Sequence, residues 1–305
     1  MGNMSRRNGR TSTKKYSDYD YESMYQNDLS YLSESFIDSM FNRKIESQVY
    51  ATKTIKAGNQ FEVEIYPAFT RKELKELDKK ETCKSQSNLN DRNARKKIER
   101  RINHNFGKGD LWGTLTYREN EVPEDIDEAI NKMRNFIRRV KNKRKREGVN
   151  EEFKYIYVTE FGTQGRVHHH FIMDAAMPMD VVEALWKHGD RNELRKLDYD
   201  LQNGLSGVAN YLLKDQKFRG KSKKRWCCSK NLKDPVIRKN HSTFSNRNVQ
   251  KMVRNQNIIG DVLERKYKDY TFKDVEIKYN DFNGKFYIYA RMYQSFQPNK
   301  VRDRR

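Results

Sequence analysis

The stretch "EFGTQGRVHHHFIM" (160–173) sets three of the chain's six histidines side by side. Imidazole is the commonest borderline metal ligand and the side chain that changes charge near neutral pH. Along a strand, side chains alternate between faces. His168 and His170 then share one face, with Val167, His169 and Phe171 on the other. Two imidazoles two residues apart on one face can bind one divalent ion, and a carboxylate beside them adds affinity for Mg²⁺ or Mn²⁺. Glu160 lies on the preceding β-rich run. A hairpin loop with an odd number of residues puts Glu160 opposite His168, within ~5 Å, and an even loop offsets them. The competing reading is a polar strand surface, because a lone His-x-His carries little information.

A second group lies downstream. In "SGVANYLLKDQKF" (206–218), Tyr211 and Lys214 stand three apart and share a helix face. A tyrosine can attack phosphorus, although its hydroxyl is normally protonated, with a pKa of ~10. By itself Lys214 reads as a solvated lysine. Yet a tyrosine at helical spacing with Val208 and Leu212 is also what a core position looks like, and the chain has eighteen tyrosines. Tyr199 is the second candidate nucleophile. Thr114 and Thr116 read as β-propensity residues. His188 in "LWKHG" reads as a helix C-terminal residue favoured by the dipole, and His104 and His241 as surface. Trp226, beside Lys223, Lys224 and Arg225, either stacks a base or packs.

These residues need elements to position them. "FKYIYVTEFGTQGRVHHHFIMD" (153–174) reads as a hairpin around a Gly-containing loop. "DLWGTLTYREN" (110–120) is a strand, and so is "NQFEVEIYPAF", where Phe61, Val63 and Ile65 alternate with polar neighbours. "VPEDIDEAINKMRNFIRRVKNKRKREG" (122–148) is the clearest helix. Pro123 suits its first turn, and Glu124 and Asp125 complement its dipole. Its apolar face runs Ile126, Ile130, Met133, Ile137 and Val140, and the basic tail Arg138–Arg146 should project beyond it. Shorter helices follow at 179–189 and 206–218, the latter with Ser206 as N-cap. Residues 70–106 read as a charged helix broken near "SQSNLN", either a solvated face or a DNA-facing arm. "DVEIKYNDFNGKFYIYARM" (274–292) is a hairpin turning at Asn283-Gly284. The order implies an α+β fold with an antiparallel sheet. Residues 1–45 read as a disordered polar tail with one short helix at 30–42.

Composition narrows the partner. The formal net charge is +21, with basic runs such as "RRVKNKRKREG" and "RGKSKKRW". This favours a polyanion, nucleic acid first and an anionic membrane surface second. No apolar run approaches the ~18 residues needed to span a bilayer, and the N-terminus lacks the apolar core of a secretory signal. No GxxxxGK[ST] occurs, so no nucleotide-hydrolysing motor is expected. Three cysteines without framework spacing fit reduced thiols and a cytoplasmic setting.

His-x-His followed by Phe171, Ile172 and Met173 resembles the HUH endonucleases, in particular Gram-positive-type rolling-circle replication initiators of small phages, plasmids and integrative elements. "LWGTLTY" (111–117) resembles that family's first motif, an apolar strand with Thr-x-Thr. "YLLK" (211–214) resembles its third, a nucleophilic Tyr followed by Lys on a helix. The motifs come in the family's order over roughly 105–240. His169 departs from the pattern, since the family usually has an apolar residue between the metal-binding histidines.

The resemblance implies an HUH, RRM-like core: a central antiparallel sheet flanked by helices, over 46–243. The segment 244–305 then either completes the sheet or forms a small origin-reading unit. It implies metal-dependent nicking and rejoining of single-stranded or cruciform origin DNA. Tyr211 would form a 5′-phosphotyrosine and leave a 3′-OH primer; Lys214 would assist. Glu160, His168 and His170 would hold Mg²⁺ or Mn²⁺. The DNA contacts expected from charge and place are Arg166, Lys223, Lys224, Arg225, Trp226, Arg138 and Arg139. Host helicase and polymerase would be partners. The rival readings are a relaxase- or transposase-type HUH nuclease and a non-catalytic basic nucleic-acid-binding protein. A histidine-triad hydrolase needs a third alternating histidine, and position 172 is Ile.

Overall fold

The computed structural model describes residues 27–28, 49–69, 86–161, 166–190, 192–212, 226–280 and 285–294. The expected helix at 30–42, the Asn283-Gly284 turn and Lys214, Lys223, Lys224 and Arg225 lie outside them.

The α+β expectation holds, with two antiparallel sheets rather than one. The strands are β1 (Asn27–Asp28), β2 (Tyr50–Ala57), β3 (Gln60–Pro67), β4 (Leu111–Leu115), β5 (Tyr155–Phe161), β6 (Val167–Met173), β7 (Glu193–Lys196), β8 (Cys227–Cys228), β9 (Val236–Asn240), β10 (Tyr270–Asn280) and β11 (Lys285–Gln294). The helices are α1 (Gln86–Asn105), α2 (Ile126–Arg146), α3 (Met179–Ala184), α4 (Ser206–Leu212), α5 (Asn246–Arg254) and α6 (Ile259–Lys266). The histidine strand β6 is central in a five-stranded sheet of order β7-β4-β6-β5-β8. The other sheet runs β1-β10-β11-β3-β2-β9. The C-terminal hairpin therefore pairs with β3, and strands from both sides of residue 243 share that second sheet.

Alternation sorts the side chains into layers. On β6, Phe171 and Met173 face α2, meeting Met133, Phe136 and Val140. Ile172, with Ile156 and Val158 of β5, faces α1 and α4, meeting Ile98, Ile102, Ala209 and Leu212. On β3, Val63 and Ile65 face α5 and α6, while Glu62 and Glu64 turn to Arg100 of α1. The order of layers is α2 and α3, five-stranded sheet, α1 and α4, six-stranded sheet, α5 and α6.

Helix α1 is thus neither a solvated face nor an arm. Its apolar side seals one sheet and its cationic side the other. Arg100 Nη2 donates to Glu62 Oε2 at 2.6 Å, and the Lys96 ammonium stands 3.8 Å from the Tyr289 ring centroid. Burial would raise the Glu62 carboxyl, but the Arg100 guanidinium outweighs it and holds the group below the usual carboxylate range. The polar neighbours in the β3 alternation are therefore a buried ionic seam rather than a wet face. The helix begins at Gln86, inside the "SQSNLN" stretch where the sequence suggests a break.

Helix α2 begins at Ile126, with Asp125 as N-cap accepting from the Glu128 N–H at 2.7 Å. Pro123 lies ahead of the cap rather than in the first turn. The basic tail does not all project. Arg144 is 3% exposed and donates to Asp174 at 2.5 Å and to the Glu151 carbonyl at 3.0 Å.

Candidate active site

The β5–β6 register answers the loop question. Glu160 pairs with His168 and Val158 with His170, so the odd-loop arrangement is the one present. Glu160 and His170 are 4% and 5% exposed. Glu160 Oε2 lies 4.0 Å from His168 Nε2 and 3.9 Å from His170 Nε2. One ligand atom from each of the three residues falls within 4.8 Å of the others. Two imidazoles and a carboxylate converging on one point are a donor set fitted to a divalent cation. Ion–donor bonds of ~2.1 Å allow donors up to ~4.2 Å apart, which covers both Glu–His separations.

The His170 imidazole is in the form a metal needs. Burial, aided by the charge of His168, pushes its pKa down to about 3. The ring is therefore neutral at pH 7. Its Nδ1 shares a 2.9 Å hydrogen bond with Thr114 Oγ1 of β4, leaving Nε2 toward Glu160. A partner on the far ring nitrogen fixes ring orientation and tautomer in metal-binding histidines. Thr114 carries this role because β4 pairs with β6 in a register that sets it opposite His170. In the sequence Thr114 reads only as a β-former. The Thr-x-Thr spacing is the available signal, but which strand lies beside β6 cannot be read from it.

His169 faces the other way, as alternation requires. It is fully buried among Tyr117, Trp186 and the α2 layer. Its Nε2 shares a 2.6 Å hydrogen bond with the Tyr117 hydroxyl, and its Nδ1 a 2.9 Å bond with Thr159 Oγ1. Both ring nitrogens are committed, and burial drives its pKa to about 3. His169 is a core histidine whose partners replace what an apolar residue would do by packing. His188 is not a helix-terminal residue. It lies beyond α3, and its Nδ1 meets Glu121 Oε2 at 2.9 Å. His104 is half-buried, with Nδ1 buried and lacking a hydrogen-bond partner.

Helix α4 brings Tyr211 to the pair. Its ring centroid lies 4.8 Å from that of His170, nearly perpendicular, and 5.6 Å from Trp112 on β4. Leu212 and Ala209 bury into the α1 layer, yet Tyr211 stays 41% exposed. A core tyrosine would be covered; this one touches two rings, Trp112 and His170, and is open to solvent. The start of α4 is clamped by α1: the Leu205 N–H donates to Asn103 Oδ1 at 2.8 Å, and the Ser206 hydroxyl donates to Glu99 instead of capping its own helix. Gly204, at φ +58°, lets Asn103 approach, since a Cβ there would lie 2.3 Å from Asn103 Oδ1. Tyr199 is half-buried against the same layer.

The expected DNA contacts divide. Arg166 is exposed immediately before β6, at its His168 end. Trp226 packs partly buried against the α1 layer. Arg138 and Arg139 lie on α2, across the sheet from the histidine pair, and Arg139 Nε donates to the Leu185 carbonyl at 2.8 Å. Among the described residues, no helix is long and apolar enough to cross a membrane.

No curated protein and no solved structure matches the chain. A family model does: residues 110–216 match the family described as "Replication-associated protein ORF2/G2P". That span is about a third of the chain and runs from β4 to the end of α4, so it holds Thr114, Glu160, His168, His170 and Tyr211, while every strand of the six-stranded sheet lies outside it.

Proposed function

We propose that this chain is a replication initiator of the HUH rolling-circle type, nicking and rejoining origin DNA through Tyr211. The observation that carries the reading is the approach of the exposed Tyr211 ring to His170, itself part of the Glu160–His168–His170 cluster. The match of 110–216 to replication-associated proteins supports the substrate class. The net charge of +21 supports a phosphate-rich partner.

In this reaction the Tyr211 oxygen bonds to the scissile phosphorus and the bond from phosphorus to the 3′ oxygen breaks. The phenolic proton is lost and the departing oxygen is protonated. The products are a 5′-phosphotyrosine and a free 3′-OH, with the phosphodiester energy kept for rejoining. Glu160, His168 and His170 would hold Mg²⁺ or Mn²⁺, which when bound neutralises charge on the scissile phosphate. Trp112 and His170 fix the Tyr211 ring, and the clamp of α4 by Asn103 and Glu99 fixes the helix that carries it. Lys214, three residues on in the sequence, would stabilise the phenolate, and Arg166 would meet the strand entering beside His168. The 3′-OH would prime a host polymerase, with a host helicase unwinding ahead of it.

The test is incubation with Mn²⁺ or Mg²⁺ and labelled single-stranded origin DNA, followed by denaturing electrophoresis. Wild type forms a covalent adduct and Tyr211→Phe forms none. Binding without an adduct on any cognate strand would favour a non-catalytic DNA-binding protein.

A further inference from the structure

Between Val236 and Gly260 the chain has no aspartate or glutamate, although about one residue in seven is acidic overall. The stretch carries Arg238, Lys239, Arg247, Lys251 and Arg254. It forms β9, whose five residues are all exposed, and helix α5 on the outer face of the six-stranded sheet. Helix α5 is capped by Ser245, whose hydroxyl accepts from the Asn248 N–H. It buries Val249, Met252 and Val253. Arg247, Asn248, Lys251 and Arg254 are exposed, and Asn255, Gln256 and Asn257 continue that exposure. Spacings of four and three align the three cations in one stripe. Seven residues at 1.5 Å rise make it about 10 Å long, some three base-pair steps of ~3.4 Å. Acidic residues resume only on α6, at Asp261 and Glu264.

We infer that this face of α5 is a second DNA-contacting surface, separate from the nicking site, and that its occupant is duplex DNA. The choice of DNA rests on the proposed initiator function; the choice of duplex rests on the surface itself. Non-specific single-strand binding uses aromatic platforms on which bases stack. The only aromatic residue between Val236 and Gly260 is Phe244, and it is buried. What the face offers is cations for phosphates and exposed Asn and Gln amides, which suit base edges. A helix ~10–12 Å across also matches a major groove ~12 Å wide. The surface and the histidine pair are on different sheets, with α1 between them. Duplex would be held on one layer while a strand is cut at another.

The full-length chain with Arg247→Ala, Lys251→Ala and Arg254→Ala tests this by fluorescence anisotropy on a labelled mixed-sequence DNA duplex over a salt series. The expected result is duplex affinity at least tenfold weaker. The log–log salt slope should be shallower by ~0.9 for each phosphate that the variant no longer neutralises. Adduct formation on a short single-stranded oligonucleotide should be unchanged. Unaltered duplex affinity and slope overturn the inference. So does an equal loss on single-stranded DNA or on duplex RNA, which would make the face a general polyanion surface. A wild type that forms no adduct sinks the initiator reading and leaves the duplex measurement standing by itself. Should the triple variant fail to fold, Arg247→Glu alone, at an exposed site, gives the same readout.

Discussion

Thr114→Val tests how the sheet prepares the Glu160–His168–His170 cluster. The substitution keeps the shape and β-propensity of the side chain and removes only Oγ1, and with it the 2.9 Å bond to His170 Nδ1. His170 remains buried but loses the partner that fixes its ring and tautomer. Removing such a partner typically weakens metal affinity by ~10–100-fold, roughly 1.4–2.7 kcal/mol. The structure supplies its own control in Thr159, whose Oγ1 makes an equal 2.9 Å bond to His169 Nδ1 on the opposite face of the same sheet. Thr159→Val should cost fold stability of about 1–3 kcal/mol, because His169 is fully buried, and leave metal affinity within about twofold. Titration of Mn²⁺ by electron paramagnetic resonance, with urea unfolding in chelator alongside, separates the two. Equal weakening of Mn²⁺ binding by both variants, or none by Thr114→Val, would refute the division of the three histidines between two faces.

Two further outcomes follow from buried titratable groups. His169 and His170 both have folded pKa values of about 3, below the ordinary value of 6.5. The unfolded chain therefore takes up protons that the folded chain refuses, and stability is lost as pH falls below 6.5. The slope should reach about 1.4 kcal/mol per pH unit for each histidine, up to ~3 for the pair, read by urea unfolding in chelator between about pH 6.5 and 5; a flat profile contradicts the burial. Arg144→Met, which strands Asp174 beside the Lys154 N–H it accepts from, should destabilise by about 3 kcal/mol. Adding Asp174→Asn should then cost less than its effect alone, and additive losses in the same unfolding assay would contradict a coupled pair.

The sequence was most legible where chemistry is local. The hairpin at 155–173, the helix over 126–146 and the split of the three histidines follow from period-two and period-3.6 patterns, and the structure contains all three. The distance from Glu160 to the histidines was legible only as a conditional, because parity of the loop decides it. What stayed hidden depends on pairing between distant segments. Thr114 serves His170 only because β4 lies beside β6, 56 residues away. Helix α1 looked solvated because its charge was visible and its partners were not: Arg100 meets Glu62 across 38 residues. Arg144 looked like part of a projecting basic tail for the same reason, until Asp174 is placed beside it. The second sheet was illegible as a separate sheet, since strands at 50–67, 236–240 and 270–294 carry no sequence mark of which edge they join.

In the proposed reaction Tyr211 is the residue that takes the phosphate. Nuclease digestion of the adduct from Mn²⁺-treated wild type, followed by peptide mass mapping, tests it most directly. The expected result is a nucleotide remnant on Tyr211, attached through its 5′ phosphate. A remnant on Tyr199 or any other tyrosine, or an adduct that persists in Tyr211→Phe, would contradict it.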